Sequence, residues 1–322
     1  MNRAYEVQLT TGHILRHAPA QSTQGHDAAL IDIAQDLLLR HLSDRGVLEY
    51  VSFKGGTALR KIYAGAAGRF STDLDFAFTD LDTAQSDVIG LINAEIDGAV
   101  LGPFTYGVTY RRNRPTITYS SNLEGTLRPT LESKLDVGPP PWLEPVRRPW
   151  VTVPIHNLYG GPLPDLIVVS LNENIAEKIA RLNRRSPARD AFDLVWVAST
   201  PGLDVDRALV RRLAVLKIWV DLNGLTSNHH HWAVQPEARL FDVNRWLNPL
   251  KASDFDDENI GLLTTPRPDL DDLGQELSGL YGWLANLDSD ELKVARGLAQ
   301  DRTLVLKLIG ELPGNRLRDA VR

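Results

Sequence analysis

Lys54-Gly55-Gly56-Thr57-Ala58-Leu59-Arg60-Lys61, followed by Arg69-Phe70-Ser71-Thr72-Asp73-Leu74-Asp75-Phe76, sets the architecture of the first half of the chain. Val47 to Phe53 reads as a short strand running into the paired glycines. Beyond them Leu59, Ile62 and Tyr63 share one face of a helix. Phe70 to Phe78 then alternates, with Thr72, Leu74, Phe76 and Phe78 on one side and Ser71, Asp73, Asp75 and Ala77 on the other. The unit predicted is strand, glycine turn, helix, and a second strand with one wet face.

Outward from this unit, the apolar spacing of Leu30, Ile31, Ala34, Leu37 and Leu38 predicts a helix over Asp27 to Leu42, ending before Gly46. Asp87 to Val100 reads as another helix. Phe104 to Arg111 and Thr116 to Ser120 read as strands joined by a turn at Asn113-Arg114-Pro115, and Leu131 to Val137 alternates so that Glu132, Lys134 and Asp136 share one face. Gly138 to Pro149 is proline-rich and stiff, and Gly160 to Pro164 is a second break. After it the chain turns helical. Ser170 with Glu173 suggests a capping box, Ser186 with Pro187 opens a further helix through Ala198, and more helices are expected at Val205 to Leu222, Leu270 to Leu287 and Asp290 to Leu312, the last broken near Gly297 to Asp301. Asn223 to Thr265 reads as loops and short turns. The organisation expected is an N-terminal extension (1–25), an α+β core with a small mixed sheet (26–165) and a C-terminal helical lobe (166–322).

The 322 residues carry 41 acidic and 35 basic side chains, a formal charge of −6, which argues against whole-molecule attraction to nucleic acid and leaves local basic grooves open. No cysteine is present, so thiolate metal sites, disulfides and a cysteine nucleophile are excluded. Met1 to Gln24 lacks the pattern of an export signal, and no run approaches the roughly 20 apolar residues of a bilayer span. A cytoplasmic protein without membrane contact is expected.

Asp73 and Asp75 stand two apart in a predicted strand, so their carboxylates leave one face and suit Mg²⁺ or Mn²⁺. Asp136, on another strand, can add a third carboxylate if the strands are neighbours, which would make a two-metal site for in-line phosphoryl displacement. Gly55, Gly56 and Thr57 open a helix whose free amides and positive dipole end suit a triphosphate. Taken singly, each signal has a plainer reading, a tight turn for the glycines and solvated charges for the acidic pair.

Jointly, the two quoted segments resemble the nucleotidyltransferase toxins of the AbiEii/AbiGii family, the group of the mycobacterial MenT-type toxins. The resemblance continues in Glu177-Lys178-Ile179-Ala180-Arg181 and Arg189-Asp190-Ala191-Phe192-Asp193-Leu194, and spans roughly residues 28 to 200. One departure from nucleotidyltransferases in general is the sixteen residues between Gly56 and Asp73, where about ten would be usual; the toxin branch has this longer spacing. The resemblance implies a polymerase-beta-like nucleotidyltransferase core followed by a helical lobe supplying Lys178 and Asp193 across a cleft. It assigns Lys178, with Arg181 and Asp190 nearby, to nucleotide phosphates. Asp193 would be the last catalytic aspartate, either orienting the lysine or receiving the acceptor's proton. Asp190 reads equally as an internal ion pair tying two helices. Ser71 would be needed for activity and open to phosphorylation by an antitoxin.

Further implications are a bacterial toxin–antitoxin pair of abortive-infection type, an AbiEi-like antitoxin as partner, a nucleoside triphosphate as substrate, and the 3′ end of tRNA as acceptor. A protein acceptor and a non-catalytic nucleotide- or RNA-binding factor stand as rival classes.

His229-His230-His231 reads as loop surface, because adjacent histidines point different ways. Arg111, Arg112, Arg114 and Arg147-Arg148 can line an RNA path with Tyr110 or Trp150 as a stacking surface, or be exposed turn charges. Trp196, Trp219 and Trp283 read as core.

Overall fold

The computed structural model describes residues 6–19, 23–79, 85–112, 114–123, 130–185, 188–225, 234–246, 250–251 and 269–317. The histidine run, the Ser186-Pro187 helix start, Asn113 of the predicted turn and much of 223–265 lie outside the described residues. The described chain forms two compact units. The first takes 6–140 and 145–168, the second 141–144 and 169–317.

The first unit begins with α1 (Thr11–His17) and α2 (Thr23–Asp44). Strand β1 (Val51–Lys54) leads directly into α3 (Gly55–Ala58), which continues as a wider turn over Leu59–Ala64. After β2 (Leu74–Phe78) come α4 (Gln85–Ile96), β3 (Val100–Leu101), β4 (Phe104–Arg111), β5 (Arg114–Ser121), β6 (Leu131–Gly138), β7 (Val146–Arg148) and β8 (Leu166–Val168). They build one mixed sheet of eight strands in the order β3-β4-β5-β6-β2-β1-β8-β7, larger than the small sheet expected. Its middle matters most: β2 runs antiparallel to β1 and parallel to β6. Phe53 and Phe76 are register partners facing the core, and α2 supplies that core with Leu30, Ile33, Leu37 and Leu38.

A buried ionic network fixes the turn after β1. Arg60 Nε and Nη2 donate to Asp32 at 2.9 and 3.0 Å, Lys61 Nζ donates to Asp32 at 3.0 Å and also to Asp36, and His17 and Tyr159 reach the same two carboxylates. Burial raises the carboxyl of Asp32, but Arg60 and Lys61 outweigh it and hold the group well below its ordinary range. Such a cluster is weak evidence for stability and strong evidence for a fixed geometry. Here it ties the helix that follows the two glycines to α2.

The strand predicted over Phe70 to Phe78 begins only at Leu74. The reason lies in side chains that take the carbonyls a sheet ladder would need. Gln35 Nε2 donates to Thr72 O at 3.1 Å, and the Thr57 hydroxyl donates to Asp73 O. Likewise Val47–Glu49 is a short 3₁₀ turn and not the start of β1.

The second unit contains α5 (Leu171–Arg185), α6 (Ala188–Ser199), α7 (Arg207–Asn223), α8 (Leu270–Tyr281), α9 (Ser289–Ala295) and α10 (Arg302–Gly310). Ile175, Ile179 and Leu182 of α5 and Leu213, Leu216 and Trp219 of α7 are buried, and α5 packs on α7. The predicted capping box is half present. Ser170 Oγ accepts from Glu173 N at 3.3 Å, but the Glu173 carboxylate turns elsewhere, accepting from Trp142 N and Leu143 N at 2.8 Å each and from Lys217 Nζ at 2.8 Å. This fully buried glutamate is what holds 141–144 to the helical unit. Among the described residues no helix is long and apolar enough to cross a membrane.

Candidate active site

Register places Lys54 opposite Asp75, and Asp75 opposite Asp136. Directly paired residues on neighbouring strands leave the same face of a sheet, and adjacent strands lie about 4.8 Å apart. Lys54, Asp75 and Asp136 therefore form a row across β1, β2 and β6, with Asp136 exposed and the other two half-buried. The Lys54 amine extends along this face, its Nζ 3.6 Å from where a Cβ on Gly138 would stand.

Gly55 is favoured here by both conformation and contact, and Gly56 by contact alone. Gly55 has φ +79°, and a Cβ on it would overlap Asp75 Oδ2 and stand 3.1 Å from Asp75 Cβ and Cγ. A Cβ on Gly56 would overlap the Arg69 guanidinium, with Arg69 Cζ at 3.2 Å and Ser71 Oγ at 3.4 Å. The glycine turn, Asp75, Arg69 and Ser71 are thus one cluster within the first unit. Two residues before Ser71, Arg69 brings a buried cation against the turn.

Thr57 departs from its expected part. It is fully buried and its hydroxyl donates to the carbonyl of Asp73, so it positions the acidic pair and is not aimed at a phosphate. Gln35 does comparable work from α2, donating to Thr72 O and to Ser133 Oγ of β6, each at 3.1 Å. Between them these two side chains set the backbone on either side of the Thr72–Asp73 peptide.

Among the described residues no group of three or more His, Cys, Asp or Glu side chains is placed so that it could hold a metal ion unaided. The donor set still fits a hard cation. Mg²⁺ is usually bound by one or two carboxylates together with substrate phosphates and water, and the acidic pair at the head of β2 offers that many.

In the second unit, Lys178 Nζ donates to Asp190 Oδ1 at 2.9 Å and to Asp193 Oδ2 at 2.8 Å, linking α5 to α6. Side-chain exposure is 3% for Lys178, 1% for Asp190 and 6% for Asp193. Arg181 Nε stands 3.2 Å from Asp190 Oδ2. Burial raises the Asp190 carboxyl, yet Lys178 and Arg181 bring it below its ordinary value. Asp190 pairs with Lys178 and Arg181, the ion pair between two helices that is one of its two readings. Asp193 orients Lys178 directly. Two of the three ammonium donors are occupied by these bonds.

The suggested RNA path is not supported as drawn. Trp150 is buried, its indole donating to Pro164 O at 2.7 Å, so it offers no stacking face. Arg111 pairs with Glu132 at 2.6 Å and Arg147 with Glu49 at 2.9 Å, whereas Tyr110 is exposed. Of the tryptophans, Trp219 is buried and Trp196 and Trp283 are partly so.

Comparison with known proteins identifies the family. The family model for the nucleotidyl transferase AbiEii toxin of type IV toxin–antitoxin systems matches residues 36–274. Among solved structures, MenT4, a nucleotidyltransferase toxin of Mycobacterium tuberculosis, is 33% identical at a TM-score of 0.79, covering 95% of this chain and 99% of its own. Cid1, an RNA terminal uridylyl transferase, is 15% identical over 78% of this chain and 63% of its own, with a TM-score of 0.24. No curated protein sequence matches.

Proposed function

We propose, for a chain that belongs to the AbiEii family of nucleotidyltransferase toxins, that it moves a nucleoside monophosphate from a triphosphate to the terminal hydroxyl of an RNA, the 3′ end of tRNA being the acceptor. Membership makes the chain a nucleotidyltransferase and the toxin of a toxin–antitoxin pair. The acceptor, the metal and the residue roles are the proposal. The observation that carries it is the row Lys54, Asp75 and Asp136 beside the Gly55-Gly56 turn, where carboxylates and an anion-binding backbone lie on one sheet face.

Asp73 and Asp75, with Asp136 next to Asp75 across the ladder, would hold Mg²⁺, which when bound offsets the charge of the reacting phosphates. The amides at Gly55 and Gly56, with Arg69 behind them, receive triphosphate oxygens. The acceptor oxygen attacks the α-phosphorus, one P–O bond forms and the bond to the β-phosphate breaks. Pyrophosphate leaves, and the hydroxyl proton passes to a carboxylate. Lys178 is assigned to the phosphates through its remaining N–H donor, oriented by Asp193.

Ser71, beside Gly56, is the position where an added phosphate would repel the triphosphate. This reading includes an AbiEi-like antitoxin as the partner and the bacterial cytoplasm as the compartment.

The test is incubation of the purified protein with total RNA and each nucleoside triphosphate labelled at its α-phosphate, with and without Mg²⁺. Label on a tRNA-sized band only with metal is expected. Label on protein alone would replace the RNA acceptor with a protein one.

A further inference from the structure

The second unit contains a cavity of about 270 Å³ whose charged lining is Arg184, Arg185, Arg239 and Arg245 against a single carboxylate, Glu237. Arg184 and Arg185 come from the last turn of α5. The other two come from the 234–246 segment, which is pinned to that turn by Asn183: its Nδ2 donates to Arg239 O at 2.7 Å and its Oδ1 accepts from Asp242 N at 3.3 Å. Asp242 in turn caps the 3₁₀ turn carrying Arg245, accepting from Asn244 N at 3.0 Å. The backbone that carries Arg239 and Arg245 is therefore held beside the end of α5 by a buried asparagine and a capped turn.

Among the described residues the charge of these arginines is poorly balanced. Arg184 has a partner in Asp221 at 3.3 Å, but among the described residues no ion pair of Arg185, Arg239 or Arg245 is found. Arg185 reports the crowding: burial, then the charges of Arg181, Arg184 and Arg189, lower its guanidinium from the ordinary value. In a chain of net charge −6, this is a local concentration of cations that asks for an anion. Guanidinium forks match phosphate oxygens in pairs. The volume lies just under the roughly 300 Å³ at which pockets for whole small molecules begin, which suits one phosphate with part of its sugar better than a complete nucleotide.

We propose that this arginine cavity binds the phosphodiester backbone of the RNA acceptor, at a site separate from the residues that act on the triphosphate. The inference rests on the RNA-acceptor reading above and adds the place where the RNA chain is gripped.

The experiment measures binding of fluorescein-labelled total tRNA by anisotropy from 50 to 300 mM salt, together with calorimetric binding of each nucleoside triphosphate. It compares the wild type, the double variant Arg185→Ala/Arg239→Ala and the charge-keeping Arg185→Lys/Arg239→Lys. Each lost phosphate contact lowers the slope of log affinity against log salt by about 1. The alanine pair is expected to lower that slope by about 2 and to weaken RNA binding by about tenfold or more. Triphosphate affinity stays unchanged, and the lysine pair, which keeps the charge but not the fork, keeps the salt slope while recovering only part of the RNA affinity.

Unchanged RNA affinity and slope in the alanine pair, with wild type still labelling RNA, would overturn this proposal and leave the transfer reaction standing. Weakened triphosphate binding with RNA binding intact would overturn it in favour of a free-nucleotide site. A wild type that neither binds nor labels RNA would remove the acceptor reading, and this inference with it.

Discussion

The carboxylate of Asp75 fills the space that a side chain on Gly55 would need: a Cβ there would overlap Oδ2 and stand 3.1 Å from Asp75 Cβ and Cγ. The glycine lies just past Lys54, the register partner of Asp75 on β1. The glycine turn and the acidic strand are therefore packed directly against each other.

Gly55→Ala combines a left-handed backbone at φ +79° with this overlap. Gly46 provides the comparison, because its φ is +74° but nothing lies within 4 Å of its Cβ position. Gly46→Ala is expected to cost about 1–2 kcal/mol of stability and keep nucleotidyl transfer. Gly55→Ala is expected to lose transfer as well. Thermal unfolding and labelled-triphosphate turnover of the two variants check this; equal activities would remove the contact argument.

Gln35 is far from Asp73 in sequence and holds the carbonyl just before it. Gln35→Leu leaves Thr72 O and Ser133 Oγ without this donor, at a cost of about 1–3 kcal/mol. Transfer should fall more than it does for Ser133→Ala, which removes one of the two bonds and leaves the Thr72 contact in place. The ratio of kcat between the two variants, measured below both unfolding midpoints, reads the effect.

Removing the Lys178 amine leaves Asp190 and Asp193 buried without their shared cation, a loss of about 3–5 kcal/mol. Lys178→Met alone therefore mixes folding with chemistry. The double variant Lys178→Met/Asp190→Asn is expected to regain much of that stability while remaining inactive. Recovery of transfer along with stability would make the lysine a structural cation only.

Much of this was legible beforehand. The alternation of Leu131 to Val137 put Asp136 on a polar face, and β6 carries it there beside Asp75. The glycine pair announced a close backbone approach, and the i, i+3 spacing of Asp190 and Asp193 set both on the helix face that meets Lys178. What could not be read was the choice of partner over long sequence separations. Thr57 looked like a phosphate ligand because nothing local shows that Asp73 O will take its hydroxyl. Glu173 looked like half of a capping box because Trp142, Leu143 and Lys217 are distant in the chain. Gln35 shows no local sign of its part, and Lys54 and Arg69 stand in the two motifs without an assigned role, although cations immediately before the glycines and two residues before Ser71 are a usable signal.

The pH dependence carries two opposite signs. Asp32 and Asp190 have carboxyls lowered in the folded state, so their contribution is present above the unfolded value near 3.9 and is lost as pH falls below it. Asp221 runs the other way. Burial raises it to about 6 from 3.8, against the lowering pull of Arg184 and Lys217. Its folded form binds a proton that the unfolded form has released, so stability falls as pH rises from 4 to 6. Asp221→Asn should flatten that fall and raise stability at pH 7 by on the order of 2–3 kcal/mol, one pKa unit being about 1.4. Urea unfolding at pH 4, 5, 6 and 7 would reveal it; parallel curves for variant and wild type would count against a raised Asp221.

One comparison of transfer decides whether Asp75 carries the metal-dependent chemistry. Wild type and Asp75→Asn are incubated with total RNA and α-labelled triphosphate across a Mg²⁺ titration, with folding of both verified by their unfolding curves. Metal-dependent labelling of a small RNA by the wild type, abolished in the variant at every Mg²⁺ concentration, is the result expected. A folded Asp75→Asn protein that labels RNA as the wild type does would contradict it.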